Sequence, residues 1–196
     1  MTAQTAFRSE EMFTQKEFRR WLDERPRSDV NHYELLNERI VMTPPATWPH
    51  GRVETRLVAA IEEHVERRGL GIVLGSSAGY DLPSGDTVEP DVSYISARRL
   101  AAGPVPQAGQ FVRIVPNLVV EILSPATSKR DQTEKKQIYE RNGVDEYWIV
   151  DSRGKAVTLF HLGEGRYGNG QTFRRGSVRS CTLPRLRLTI EKLFAQ

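Results

Sequence analysis

Between residues 49 and 68 apolar side chains return at every fourth position, at Val53, Leu57, Ile61 and Val65, with Val58 beside them. Glu62, Glu63, Glu66 and Arg67 lie off that stripe, so the spacing predicts an amphipathic helix that stops at Gly69. A shorter helix is predicted from Thr14 to about Glu24. Thr14 and Glu17 make a capping box, Phe13 and Phe18 a hydrophobic staple, and Pro26 forbids continuation. Residues 32–42 read as a β-hairpin turning at Asn37-Glu38, broken afterwards by Pro44-Pro45. Strand patterns follow at 71–74, 78–82, 88–95 and 118–123, with Ser84-Gly85-Asp86 as a turn. Residues 101–110 are a small-residue loop. Residues 128–142 predict a polar helix, with Ser128 and Asp131 at its start and Gly143 at its end. Strands at 146–150 and 156–161 come next, then short strands and a helical turn at 190–194. This order predicts a mixed α/β layer built on one sheet.

Two acids break the pattern. Glu121 interrupts the apolar run Leu118-Val119-Val120-Glu121-Ile122-Leu123, and alternation puts it on one face with Val119 and Leu123. Asp91 opens the run Asp91-Val92-Ser93-Tyr94-Ile95 and shares a face with Ser93 and Ile95. An ionised carboxylate among apolar neighbours is costly unless it is paired or holds a cation. On adjacent strands the two would converge on one hard divalent ion, Mg²⁺ or Mn²⁺, for which all-oxygen ligation is suited. Asp131, Lys135 and Tyr139 recur every four residues on the polar helix, which displays Lys135 toward the same place. A lysine there can orient a water or stabilise charge developing on phosphorus. Each residue also has a plain structural role open to it: Glu121 paired with an arginine, Asp91 starting a strand, Lys135 solvated on a helix.

The chain has 196 residues, 38% hydrophobic and 27% charged, enough for one core, so residues 13–196 are expected to form a single domain behind a flexible segment, 1–12. The net charge of +3 demands no polyanion, but from Glu164 to Glu191 there is no intervening acid and there are six arginines, among them Arg174, Arg175 and Arg179. Such a stretch can follow phosphates. Cys181 stands alone, which excludes an intrachain disulfide and a cysteine zinc site; a buried thiol is the expectation. No apolar run nears the ~18 residues a membrane span needs, and no signal-peptide pattern opens the chain, so a cytoplasmic protein is expected.

Pro90-Asp91, Glu121 and a following lysine resemble the PD-(D/E)XK nuclease superfamily. More narrowly, YELLNERIVMTPP (33–45), His50 at a helix start, VEPDVSYIS (88–96), NLVVEILSP (117–125) and DQTEKKQIYERNGVDEYWIVD (131–151) resemble the Uma-type restriction endonuclease family within it. In the superfamily the lysine stands two residues after the glutamate, a place held here by Leu123; the Uma-type family is similar to this chain in carrying it on the next helix, at Lys135, with Lys136 as the alternative. The resemblance implies a restriction-endonuclease-like α/β core, a mixed bent sheet flanked by helices. It also implies metal-dependent cleavage of nucleic acid, DNA in the first place. Asp91 and Glu121 would hold the metal, Lys135 would serve catalysis, and Glu38 and His50 would be additional site residues. Many nucleases of this fold act as homodimers. The alternative is a nucleic-acid- or protein-binding module that keeps the fold with little catalysis.

Overall fold

The computed structural model describes residues 7–125 and 127–195. Helix α1 (Gln15–Asp23) starts with the expected capping box, the Thr14 and Glu17 side chains each serving the other's backbone. Strands β1 (His32–Leu36) and β2 (Arg39–Thr43) form the predicted hairpin. Asn37 and Glu38 both take positive φ, 49° and 63°, as a two-residue turn that matches strand twist requires. Helix α2 (His50–Glu66) buries the predicted stripe Val53, Leu57, Ile61 and Val65. Next come β3 (Gly71–Gly75), β4 (Tyr80–Asp81), β5 (Thr87–Val88), β6 (Val92–Ser96), the short helix α3 (Ala97–Ala102) and β7 (Leu118–Ile122). The polar helix is α4 (Ser128–Arg130), a π-helical turn (Asp131–Lys135) and α5 (Lys136–Arg141) in succession. Strands β8 (Glu146–Asp151), β9 (Ala156–Gly163), β10 (Arg166–Tyr167), β11 (Gln171–Phe173), β12 (Ser177–Val178) and β13 (Leu188–Thr189) precede α6 (Ile190–Leu193).

The strands divide between two principal sheets rather than one. A large mixed sheet has the order β10-β9-β8-β7-β6-β3, with β11 also on β9; β7 and β8 are parallel and the other pairs antiparallel. A small antiparallel sheet has the order β2-β1-β5-β4. The run expected as one strand at 88–95 is therefore two, parted at Glu89-Pro90-Asp91. Pro90 has no N–H to give to a ladder, so the chain leaves the small sheet there and enters the large one at Val92. Asp91 stands at that crossing. The strands β12 and β13 make a separate pair.

Alternation along β7 divides its residues as predicted. Leu118, Val120 and Ile122 join the core beneath α2 and α6, with Trp148 and Val150. Val119 faces a second core with Ile138, Tyr139 and Tyr147, and Glu121 emerges on that same face. A third, smaller cluster, Phe18, Leu35 and Ile40, holds α1 on the hairpin.

Of the segment expected to be flexible, residues 1–6 lie outside the described residues. Residues 7–9 are fastened to β2: the Met42 amide donates to the Phe7 carbonyl, the Ser9 amide to that of Ile40, and Arg8 bridges Val41. Cys181 is exposed, not buried, because it follows β12 in a surface loop whose amides wrap Glu146. Among the described residues no helix is long and apolar enough to cross a membrane.

Candidate active site

Four elements deliver side chains to one cavity of about 460 Å³. Strand β1 supplies Glu34, the crossing between the sheets supplies Asp91, β7 supplies Glu121, and the π turn supplies Asp131 and Lys135. Lys135 is buried, its Nζ lying 2.5 Å from Glu121 Oε1 and 2.8 Å from Glu34 Oε1. The Tyr139 hydroxyl donates to the same Glu121 oxygen at 2.6 Å. One turn apart on the helix, Lys135 and Tyr139 thus grip a single carboxylate. A π turn widens the helix locally and is frequent where helices carry function. Lys136, one residue on, points elsewhere and lies over the Phe160 ring at 3.9 Å. The one-residue swing of about 100° decides between the two lysines.

Asp91 is fixed by the chain it approaches. The Ile122 amide donates to its Oδ2 at 2.6 Å, and His50 Nε2 stands 3.2 Å from the same atom. His50 opens α2, and its Nδ1 is buried with no hydrogen-bond partner among the described residues; Glu54 Oε2 is 3.9 Å away. His50, Glu54 and Asp91 each offer a ligand atom within 4.8 Å of the others.

The electrostatics are those of a site short of positive charge. Burial pushes the Glu121 carboxyl well above the usual range, Lys135 draws it back only in part, and Asp131, Asp91 and Glu34 push it further up. Burial likewise raises Asp131, to about 6, against the pull of Lys135. Burial disfavours the Lys135 ammonium, but Glu121 and Glu34 outweigh it, and its pKa stands above the ordinary range. For His50 burial works against the charged form, yet Asp91 and Glu54 carry the pKa upward. Around this point four carboxylates (Glu34, Asp91, Glu121, Asp131) face two permanent cations, Lys135 and Arg130. Acids outnumber permanent cations at this point, an excess that a divalent cation would offset.

The donor set fits such an ion. The polar contacts of Glu121 fall on Oε1 and those of Asp91 on Oδ2. Among the described residues this leaves Glu121 Oε2 and Asp91 Oδ1 without protein partners. Two free carboxylate oxygens with an imidazole beside them suit Mg²⁺ or Mn²⁺.

The structure therefore brings together Asp91, Glu121, Lys135 and His50. It does not bring Glu38, which sits exposed in the hairpin turn with its carbonyl accepting from Phe13. The hairpin acid at the site is Glu34, whose Oε1 also accepts from the Glu89 amide at 2.9 Å. Glu34 lies two residues before Leu36 on the inward face of β1, so an acid at a buried strand position was the available signal. Glu54 and Arg130 carried no such signal.

Among solved structures, one described as a "putative nuclease belonging to DUF820" from Anabaena variabilis ATCC 29413 superposes with a TM-score of 0.77 at 18% identity, covering 93% of this chain and 98% of that one. At that identity the likeness concerns the fold. Curated proteins provide no match. The Uma2 family, described as "Putative restriction endonuclease", matches residues 15–191. The chain belongs to the Uma2 family.

Proposed function

We propose that this protein is a divalent-metal-dependent nuclease that hydrolyses phosphodiester bonds in nucleic acid, with DNA as the first substrate to test. The observation that carries this reading is the convergence of Asp91, Glu121 and Lys135 on one cavity, each acid keeping an unused oxygen. Asp91 and Glu121 would hold Mg²⁺ or Mn²⁺, with His50 and Glu54 beside them. When bound, such an ion supplies a water of lowered pKa and a Lewis acid for the phosphate. Lys135, kept charged by Glu34 and Glu121, holds a fixed positive charge where the phosphoryl oxygens gain negative charge. Arg130, 13% exposed in its side chain and bonded to Thr43, adds a second fixed cation on the cavity wall. Cutting both strands of a duplex calls for two such sites, and the open edge of β3 is where a second copy would extend the sheet.

One observation favours a binding module with little catalysis: Glu121 and Lys135 are 2.5 Å apart and occupy each other. A cleavage screen separates the two readings. Plasmid and oligonucleotides are incubated with Mg²⁺ or Mn²⁺, with Glu121→Ala and Lys135→Ala as controls. Cutting by the wild type that both variants lose supports the nuclease; equal residual cutting by all three marks a contaminant and removes the support. A Mn²⁺-dependent thermal shift that Asp91→Ala abolishes is expected in addition.

A further inference from the structure

The acid cluster accounts for only the floor of the cavity. The apolar part of its lining comes mainly from the segment between β2 and α2, with Pro44, Pro45 and Trp48 in it, joined by Leu123. Trp48 is 71% exposed. Among the described residues it is the exposed large apolar side chain that lines this cavity; Phe7, Met12, Val30, Ile72 and Val105 lie elsewhere. An indole left in water forgoes a large burial gain, and a lining bound only to phosphates has no use for one. Arg52 stands over the Trp48 ring, 5.7 Å from its centroid, and Arg153 lines the same cavity. An exposed indole with one guanidinium at its ring and another in the cavity lining is suited to take an unstacked base and the backbone phosphates beside it. A base inside a duplex is covered on both faces by its neighbours and has none to offer an indole.

Resting on the nuclease reading of the same cavity, we propose that the substrate is single-stranded nucleic acid, or an unpaired nucleotide in a longer strand, with one base stacked on Trp48. The adjoining phosphate then reaches the floor at Asp91, Glu121 and Lys135. The volume of about 460 Å³ falls within the roughly 300–1,000 Å³ typical of sites for ligands of that size. Proline in that segment keeps the platform stiff, so little freedom is lost on binding.

The test is binding, read apart from cleavage. Anisotropy of fluorescein-labelled oligo(dU), oligo(rU) and a blunt duplex of matched length is measured with Ca²⁺ and again with EDTA, for wild type, Trp48→Ala and Trp48→Phe. Expected are tighter binding of a single strand than of the duplex and a roughly 5- to 150-fold loss in Trp48→Ala, with Trp48→Phe close to wild type. Binding should also quench a tryptophan emission component that Trp48→Phe lacks, a signature that a purely structural Trp48 would not give. Comparison of oligo(rU) with oligo(dU), which differ only in the 2′-hydroxyl, identifies the sugar. Equal affinity of Trp48→Ala and wild type, a duplex bound more tightly, or no single strand bound under either condition overturns the proposal. Cleavage of the same oligonucleotides with Mn²⁺ keeps the two readings apart. Trp48-dependent binding without cutting by the wild type refutes the nuclease and leaves the stacking site. Duplex cutting unchanged in Trp48→Ala refutes the stacking site and leaves the nuclease.

Discussion

Lys135→Met removes one positive charge from the site while keeping an unbranched side chain only one atom shorter. In the wild type that charge lies 2.5 Å from Glu121 and 2.8 Å from Glu34, with all three groups buried. Breaking a buried pair by deleting one partner costs on the order of 3–5 kcal/mol, because the survivor is left charged without compensation. Here two survivors remain, but Glu121 can escape by taking up a proton, since burial already holds its pKa well above the usual range. The loss therefore stays within about 3–5 kcal/mol, a large share of the ~5–15 kcal/mol that stabilises a domain. For a chain of this length it corresponds to a fall in Tm of roughly 6–20 °C. A carboxyl whose folded pKa is raised destabilises the fold above that pKa. The penalty shrinks as pH falls through the folded value and is gone below the unfolded one, near 4.5. Urea unfolding in EDTA across a pH series should thus show a wide gap between variant and wild type at pH 8 that narrows toward pH 4.5. Saturating Mn²⁺ should stabilise the variant more than the wild type, since a divalent ion replaces the missing charge. A gap under about 1 kcal/mol at pH 8, or one that widens on acidification, would refute the electrostatic reasoning.

Asp131→Asn should stabilise the metal-free protein at pH 8 by up to about 3 kcal/mol and leave it unchanged near pH 3.8. A carboxyl raised from 3.8 to about 6 burdens the fold only while it is ionised, and urea midpoints at the two pH values check the sign. Tyr139→Phe takes one donor from the buried Glu121 oxygen and should cost about 1–3 kcal/mol in urea unfolding, with Lys135 still in place. His50→Ala should weaken Mn²⁺ binding measured by calorimetry while changing metal-free stability by less than Asp131→Asn does; unchanged Mn²⁺ affinity would remove His50 from the metal site.

Which parts of this site could be read from the chain follows from how tightly each element fixes the direction of its side chains. A strand has two faces, so once Leu118, Val120 and Ile122 are assigned to one core, Glu121 must enter the other. The same reasoning applied to β1 would have chosen Glu34, aligned with Leu36, over Glu38. Glu38, suggested by the resemblance alone, stands in the two-residue turn with positive φ, where its side chain is exposed and away from the cavity. On the helix, spacing alone narrows the lysine to one of two. The choice of Lys135 over Lys136 needs the partners, Glu121 on one side and the Phe160 ring on the other. The division into two sheets was signalled by Pro90, but a proline in a strand pattern is equally compatible with an edge position. The pairing of β5 with β1 and of β6 with β7 decides it. Trp48 has no period to constrain it at all. It lies in a loop, and its significance arises only when β7 and the π turn bring the acids beneath it. A residue on a regular element can thus be assigned a direction from its neighbours in the chain, whereas one on a loop takes its direction, and its chemistry, from whatever the fold sets opposite.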